Sequence, residues 1–129
     1  MKLKSIKISI FTLFLFNSLL GIGQARINIV NNSERQLKVK IMHKSGGTYA
    51  TLTVGAYETE TEYFQETGNY YLKTKGSLRG KKAVCKKGNP FKVYNGTDGY
   101  SVLTITYSIR GGVSDEGRGI SEEEFDRNN

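Results

Sequence analysis

Cysteine, histidine and proline are almost missing from this chain, and each scarcity removes a class of function. A single cysteine, Cys85, cannot close an internal disulfide. One histidine, His43, and one cysteine leave no soft-ligand cluster for a metal ion. Without a second histidine or a Ser/Asp/His set, a hydrolytic triad has nothing to build on, and no residue pattern implies a cofactor. Pro90 is the only proline. Long apolar runs are also scarce. The one present, Ile8 to Leu20, is about 13 residues, short of the ~20 that a spanning helix needs.

That run has the surroundings of a secretory signal. Lys2, Lys4 and Lys7 precede it, and the small-residue stretch Gly21 to Ala25 follows it. The sequence therefore predicts an exported protein, secreted or periplasmic, with residues 1–25 as a leader. Cleavage after Ala25 has Gly23 and Ala25 at the two positions that must be small. Cleavage after Gly23, with Gly21 as partner, fits nearly as well. An uncleaved membrane anchor is the alternative, against which the short apolar length argues.

Removing the leader leaves 104 residues, enough for one domain and too few for two. The net charge falls from +7 to +4, because three cations leave with the leader and every acid stays. A charge of this size serves solubility and does not call for nucleic acid, which export makes an improbable partner.

Alternation with period two recurs along the mature chain, and no long helical pattern competes with it. Ile27 and Ile29 share one face of a first strand, and Leu37, Val39 and Ile41 one face of a second. Ser45-Gly46-Gly47 reads as a hairpin turn into Thr48–Val54. Glu58, Glu60 and Glu62 share one face of a strand over 57–64, and Lys73 and Lys75 one face of a strand over 69–75. The sequence predicts that these two strands pair antiparallel, with Glu and Lys crossing on the solvated side. Short strands follow at 83–87 and 91–94, then a long one at 100–110. The expected fold over 26–110 is all-β, an antiparallel β-sandwich of seven or eight strands, with a small barrel as the alternative.

Residues 111–129 differ: glycines loosen the segment, and six acids against two arginines give −4. The bland reading is a frayed acidic tail. Ser121 followed by Glu124 does spell a capping box, and Ile120 with Phe125 a hydrophobic staple, so one helical turn is the competing reading.

The most distinctive local feature is an acid-free run of cations from Lys73 to Lys92. Residues 26–110 carry +8, and this run accounts for all of it. Lys73, Lys75, Lys81, Lys82, Lys86 and Lys87, with Tyr71 as a stacking platform, form the candidate binding surface. Its partner would be an anionic glycan, an anionic lipid surface or an acidic protein face. Against this stands a solvated edge whose lysines keep sheets from joining. A third reading is intramolecular, with the −4 tail folding back onto the patch. Cys85 reads as a buried, unreactive thiol, and His43, beside Lys44, as a solvated residue. The carboxylates Glu58, Glu60, Glu62 and Glu66 have the composition of a glycosidase pair, but their spacing fits one strand's solvent face. Asn31-Asn32-Ser33 and Asn95-Gly96-Thr97 match a glycosylation sequon, relevant only in a eukaryotic host.

The segments I-N-I-V-N-N-S at 27–33, L-K-V-K-I-M at 37–42 and T-G-N-Y-Y-L-K-T-K at 67–75 resemble small exported bacterial β-sandwich proteins of uncharacterised function. The third segment is also similar to a strand of carboxypeptidase-regulatory-like and transthyretin-like domains. The resemblance implies a fold and transfers no catalytic residue. The sequence thus predicts an exported, non-enzymatic binding or accessory protein. A protein-recognition or immunity-type subunit using the acidic tail and a small hydrolase are the alternatives.

Overall fold

Strand β1 (Arg26–Asn31) buries Ile27 and Ile29, as the alternation requires, and it is the middle strand of a three-stranded sheet. The structure, a computed structural model, describes residues 24–110, 113–114 and 117–128. Residues 1–23 of the expected leader 1–25, together with Gly111, Gly112, Asp115, Glu116 and Asn129, lie outside the described residues. The chain continues through β2 (Gln36–His43), β3 (Thr48–Val54), β4 (Thr59–Tyr63), β5 (Gly68–Ser77), β6 (Val84–Lys87), β7 (Phe91–Val93) and β8 (Val102–Tyr107). Three two-residue strands, β9 (Ile109–Arg110), β10 (Val113–Ser114) and β11 (Arg118–Gly119), precede one short helix, α1 (Glu122–Asp126). The fold is predominantly β, with more strands than the seven or eight expected.

The first sheet runs β4-β1-β8, and the larger one runs β11-β6-β5-β2-β3, with β7 beside the first half of β5. Residues of both sheets meet in one core: Ile27 and Ile29 from β1, Leu37, Val39 and Ile41 from β2, Tyr70 and Leu72 from β5. Each such aliphatic side chain contributes about 1.5–3 kcal/mol on burial. At one end the core is aromatic, with the Phe64 and Tyr70 rings 4.7 Å apart and Tyr49 5.4 Å from both. His43 belongs to this cluster, 5.3 Å from Tyr70 and 5.6 Å from Tyr49, and is half-buried rather than the solvated residue the sequence suggested. Its position opposite Tyr70 in the β2–β5 register turns it toward the core.

Two pairing expectations need correction. The sheets are not purely antiparallel, because β1 and β8 run parallel, Ile27 beside Leu103 and Ile29 beside Ile105. And β4 does not pair with β5. It pairs with β1, while β5 lies between β2 and the β6–β7 edge. Glu60 and Glu62 therefore sit opposite Ile29 and Ile27, on the core-side face of a rim strand, and meet no lysine row. Charges that point inward from an edge strand hinder a second sheet from adding there. The opposite face carries a polar ladder instead: Thr61 Oγ1 donates to Asn28 Oδ1, and Asn28 Nδ2 donates to Thr104 Oγ1.

The fold engages a residue ahead of Arg26. The Ala25 amide donates to Asn95 Oδ1 at 3.1 Å, its carbonyl accepts from the Phe64 amide at 2.9 Å, and its side chain is fully buried. Of the readings of the tail, the described residues follow the helical one rather than the frayed one: residues 118–119 extend the larger sheet, and α1 is seated on its outer face.

Candidate interaction surface

Register, more than sequence distance, decides which cations meet. Lys40 of β2 pairs with Lys73 of β5, Lys73 pairs with Lys87 of β6, and Lys87 pairs with Arg118 of β11. Four cations thus form a row across four neighbouring strands on the outer face of the larger sheet. One step along, Lys38, Lys75 and Cys85 form a second row. Like charges directly opposite each other destabilise a sheet unless something neutralises them.

The neutralising element is α1. Ser121 caps it, its hydroxyl accepting from the Glu124 amide at 3.0 Å, so half of the expected capping box forms. The Glu124 side chain turns to the sheet, with Oε2 3.7 Å from Arg118 and 4.0 Å from Lys87. Glu122 pairs with Lys75 at 2.9 Å. Phe125, 1% exposed, is the plug. The Lys40 and Lys75 ammonium groups lie 5.0 and 5.9 Å from its ring centroid.

The other end of the helix explains how lysine can be buried here. A helix leaves its last carbonyls without intrahelical partners and carries partial negative charge there. Lys73 Nζ donates to the carbonyls of Glu124 (2.7 Å) and Arg127 (2.9 Å). Lys40 Nζ donates to those of Phe125 (2.9 Å) and Asp126 (3.1 Å) and to Asn128 Oδ1 (3.3 Å). Lys73 is only 1% exposed. Burial, and next the Lys40 charge, hold its pKa below the usual lysine range, whereas the hydrogen bond from Lys75 to Glu122 lifts that of Lys75.

The cation run is therefore split three ways. Lys73, Lys75 and Lys87 lie under or beside α1, and Tyr71 lies beneath Lys87, whose ammonium is 4.9 Å from its ring centroid. Tyr71 is buried and offers no open stacking face. Lys86 points to the opposite face of the sheet, beside Thr74, because neighbouring residues on a strand alternate. Lys81 and Lys82 are exposed in the turn after β5. One continuous exposed patch, as the sequence suggested, is not what forms. Lys40 and Arg118 complete the row and were missed, since only the register brings them in. Phe125 was the available signal: a lone aromatic in an acidic segment needs somewhere to be buried.

Cys85 is buried on the same outer face, and desolvation followed by the nearby Glu122 carboxylate raises its pKa, which keeps the thiol protonated and slow to react. Of the candidate carboxylates, Glu58 and Glu60 are exposed and Glu62 is half-buried on the rim. The sequon residues Asn31 and Asn95 have their amides engaged in the fold, Asn31 with three backbone carbonyls and Asn95 with that of Phe64. Among the described residues no group of three or more His, Cys, Asp or Glu side chains is placed to hold a metal, and no helix is long and apolar enough to cross a membrane. Comparison with protein-family models, curated proteins and solved structures finds no match.

Proposed function

We propose that this chain is an exported, non-enzymatic β-sandwich that acts as a binding or accessory protein and recognises an anionic partner through the Lys-rich face of its larger sheet. The observation that carries the reading is the cross-strand row Lys40, Lys73, Lys87 and Arg118. Such a row opposes sheet pairing, and its retention makes sense where an acidic element is its counterpart. Its occupant within the chain is a glutamate-bearing helical turn, which favours an acidic protein segment over a glycan or a lipid surface. The α1 segment then acts as an internal occupant that an outside segment displaces.

The test uses a variant ending at residue 116. It should bind a synthetic peptide of residues 117–129 in trans, with affinity that falls as salt rises. The full chain should bind the same peptide at least tenfold more weakly. Absence of peptide binding to the shortened protein would remove the reading. The alternative, an immunity-type subunit whose tail itself grips a partner, expects the reverse in a pull-down from the cell envelope: partners lost when 117–129 are deleted.

Export leads to a second expectation. Ala25 is anchored at both its amide and its carbonyl, so a mature chain that keeps it retains those bonds. Cleavage after Gly23 is the better of the two sites. Mass analysis of exported material should give a chain starting at Gln24, whereas a start at Arg26 would contradict this.

A further inference from the structure

Arg35 is 6% exposed and has no carboxylate within ion-pairing distance among the described residues. A buried guanidinium without a counter-ion is costly and calls for an explanation. Its side chain crosses Gly76, where an added Cβ would lie 3.3 Å from Arg35 Cδ. Nη1 donates to the carbonyls of Gly76 (3.1 Å) and Lys82 (2.8 Å), tying the 78–83 turn to the sheet. Nε and Nη2 have no protein acceptor among the described residues. Arg35 lines a cavity of about 380 Å³ together with Glu34, Leu78, Lys81, Lys82, Val84 and Ile109. The turn is tight: the Lys81 amide donates to the Leu78 carbonyl at 2.9 Å, and Gly80 takes φ +79°.

We infer that Arg35 and the Lys81–Lys82 turn form a binding site for a small divalent oxyanion, a phosphate or sulfate group. The guanidinium contributes a rigid fork of donors from a position fixed by two backbone carbonyls. The two exposed ammonium groups add mobile charge at the mouth. Three cations against one carboxylate leave +2, which suits a dianion better than a carboxylate. The cavity lies on the opposite face of the sheet from the cation row, since Gly76 and Val84 alternate with Lys75 and Cys85. The site is therefore independent of α1 and of the partner proposed for that row.

The experiment is calorimetric titration of the full chain with sodium phosphate, sodium sulfate and sodium acetate, each against sodium chloride at matched ionic strength. Phosphate and sulfate should bind and raise Tm by several degrees. Acetate should bind at least tenfold more weakly, and chloride should leave Tm unchanged. Lys81→Met with Lys82→Met alters only exposed side chains. It should weaken phosphate binding at least tenfold while the anion-free Tm stays within a degree. Arg35→Lys keeps the charge but loses the fork and should abolish binding; if that variant fails to fold, the double lysine variant decides. A protein ending at residue 116 should bind phosphate as the full chain does, which separates this site from the α1 face. Phosphate indistinguishable from chloride, or unaltered binding by the double variant, would overturn the inference.

Discussion

Two single residues show where local chemistry outweighs pattern. Asn31 ends β1 with its side chain fully buried, and Nδ2 faces the carbonyls of Arg35, Val54 and Gly55 at 2.7–3.2 Å while Oδ1 accepts from Ser33 Oγ. It joins the β1 end to the entry of β2 and the exit of β3. Asn31→Asp keeps the shape and replaces a donor by an acceptor against those carbonyls. That leaves buried polar groups unsatisfied beside a charge, and we expect a loss of about 3 kcal/mol or more in urea unfolding. A loss below 1 kcal/mol would mean the knot is not structural. Tyr57 is the opposite case, 70% exposed and at φ +59° in the turn before β4. Bulky side chains pay about 1–2 kcal/mol in that region. Tyr57→Gly should raise stability by up to about 1 kcal/mol once the glycine's own entropy is counted, and a loss on the same measurement would contradict the strain. The period-two pattern reveals neither residue, because Asn in a polar turn and Tyr near a strand read as ordinary solvated positions.

At the scale of elements, the strands whose buried faces alternate cleanly were legible. Ile27 and Ile29, Leu37, Val39 and Ile41, and Tyr70 with Leu72 all face the core as their spacing requires. Partners were not legible. Local alternation says which side chains share a face and nothing of which strand lies alongside, so opposite charge and the short turn between them suggest a pairing of the Glu and Lys strands that does not form. In β5 the alternation fails to show on the surface: Tyr70 to Thr74 are buried on both faces, one by the core and one by the C-terminal segment. That segment reaches its seat through Gly117, at φ +68°, where an added Cβ would collide with the Lys87 carbonyl. Gly117→Ala should therefore detach the segment while sparing the sheets. Hydrogen exchange should speed up at the Ile120 amide, which donates to the Cys85 carbonyl, and stay slow in β2 and β5. Unchanged protection at Ile120 would show that the close approach is not required.

At the scale of the molecule, the contrast between a +8 body and a −4 tail becomes a contact, in which one helical turn neutralises a row of four cations. The surface pairs, partly solvated, are worth about 0–1 kcal/mol each. Burial of Phe125 and the lysine bonds to the helix end carry more of the docking. Arg35 escaped notice because an arginine in a turn between two strands looks solvated until Gly76 is seen to admit its stem.

Whether α1 covers the cation row is tested most directly by Cys85. The thiol lies on the covered face, and its pKa is raised by burial and by Glu122. Alkylation rates should be compared across pH for the full chain, Phe125→Ala and the protein ending at residue 116. The full chain should react slowly, with its pH dependence displaced to higher pH. Both variants should react at least tenfold faster, with the profile returning toward that of an ordinary thiol. Equal rates and superimposable profiles for all three proteins would contradict a covering α1.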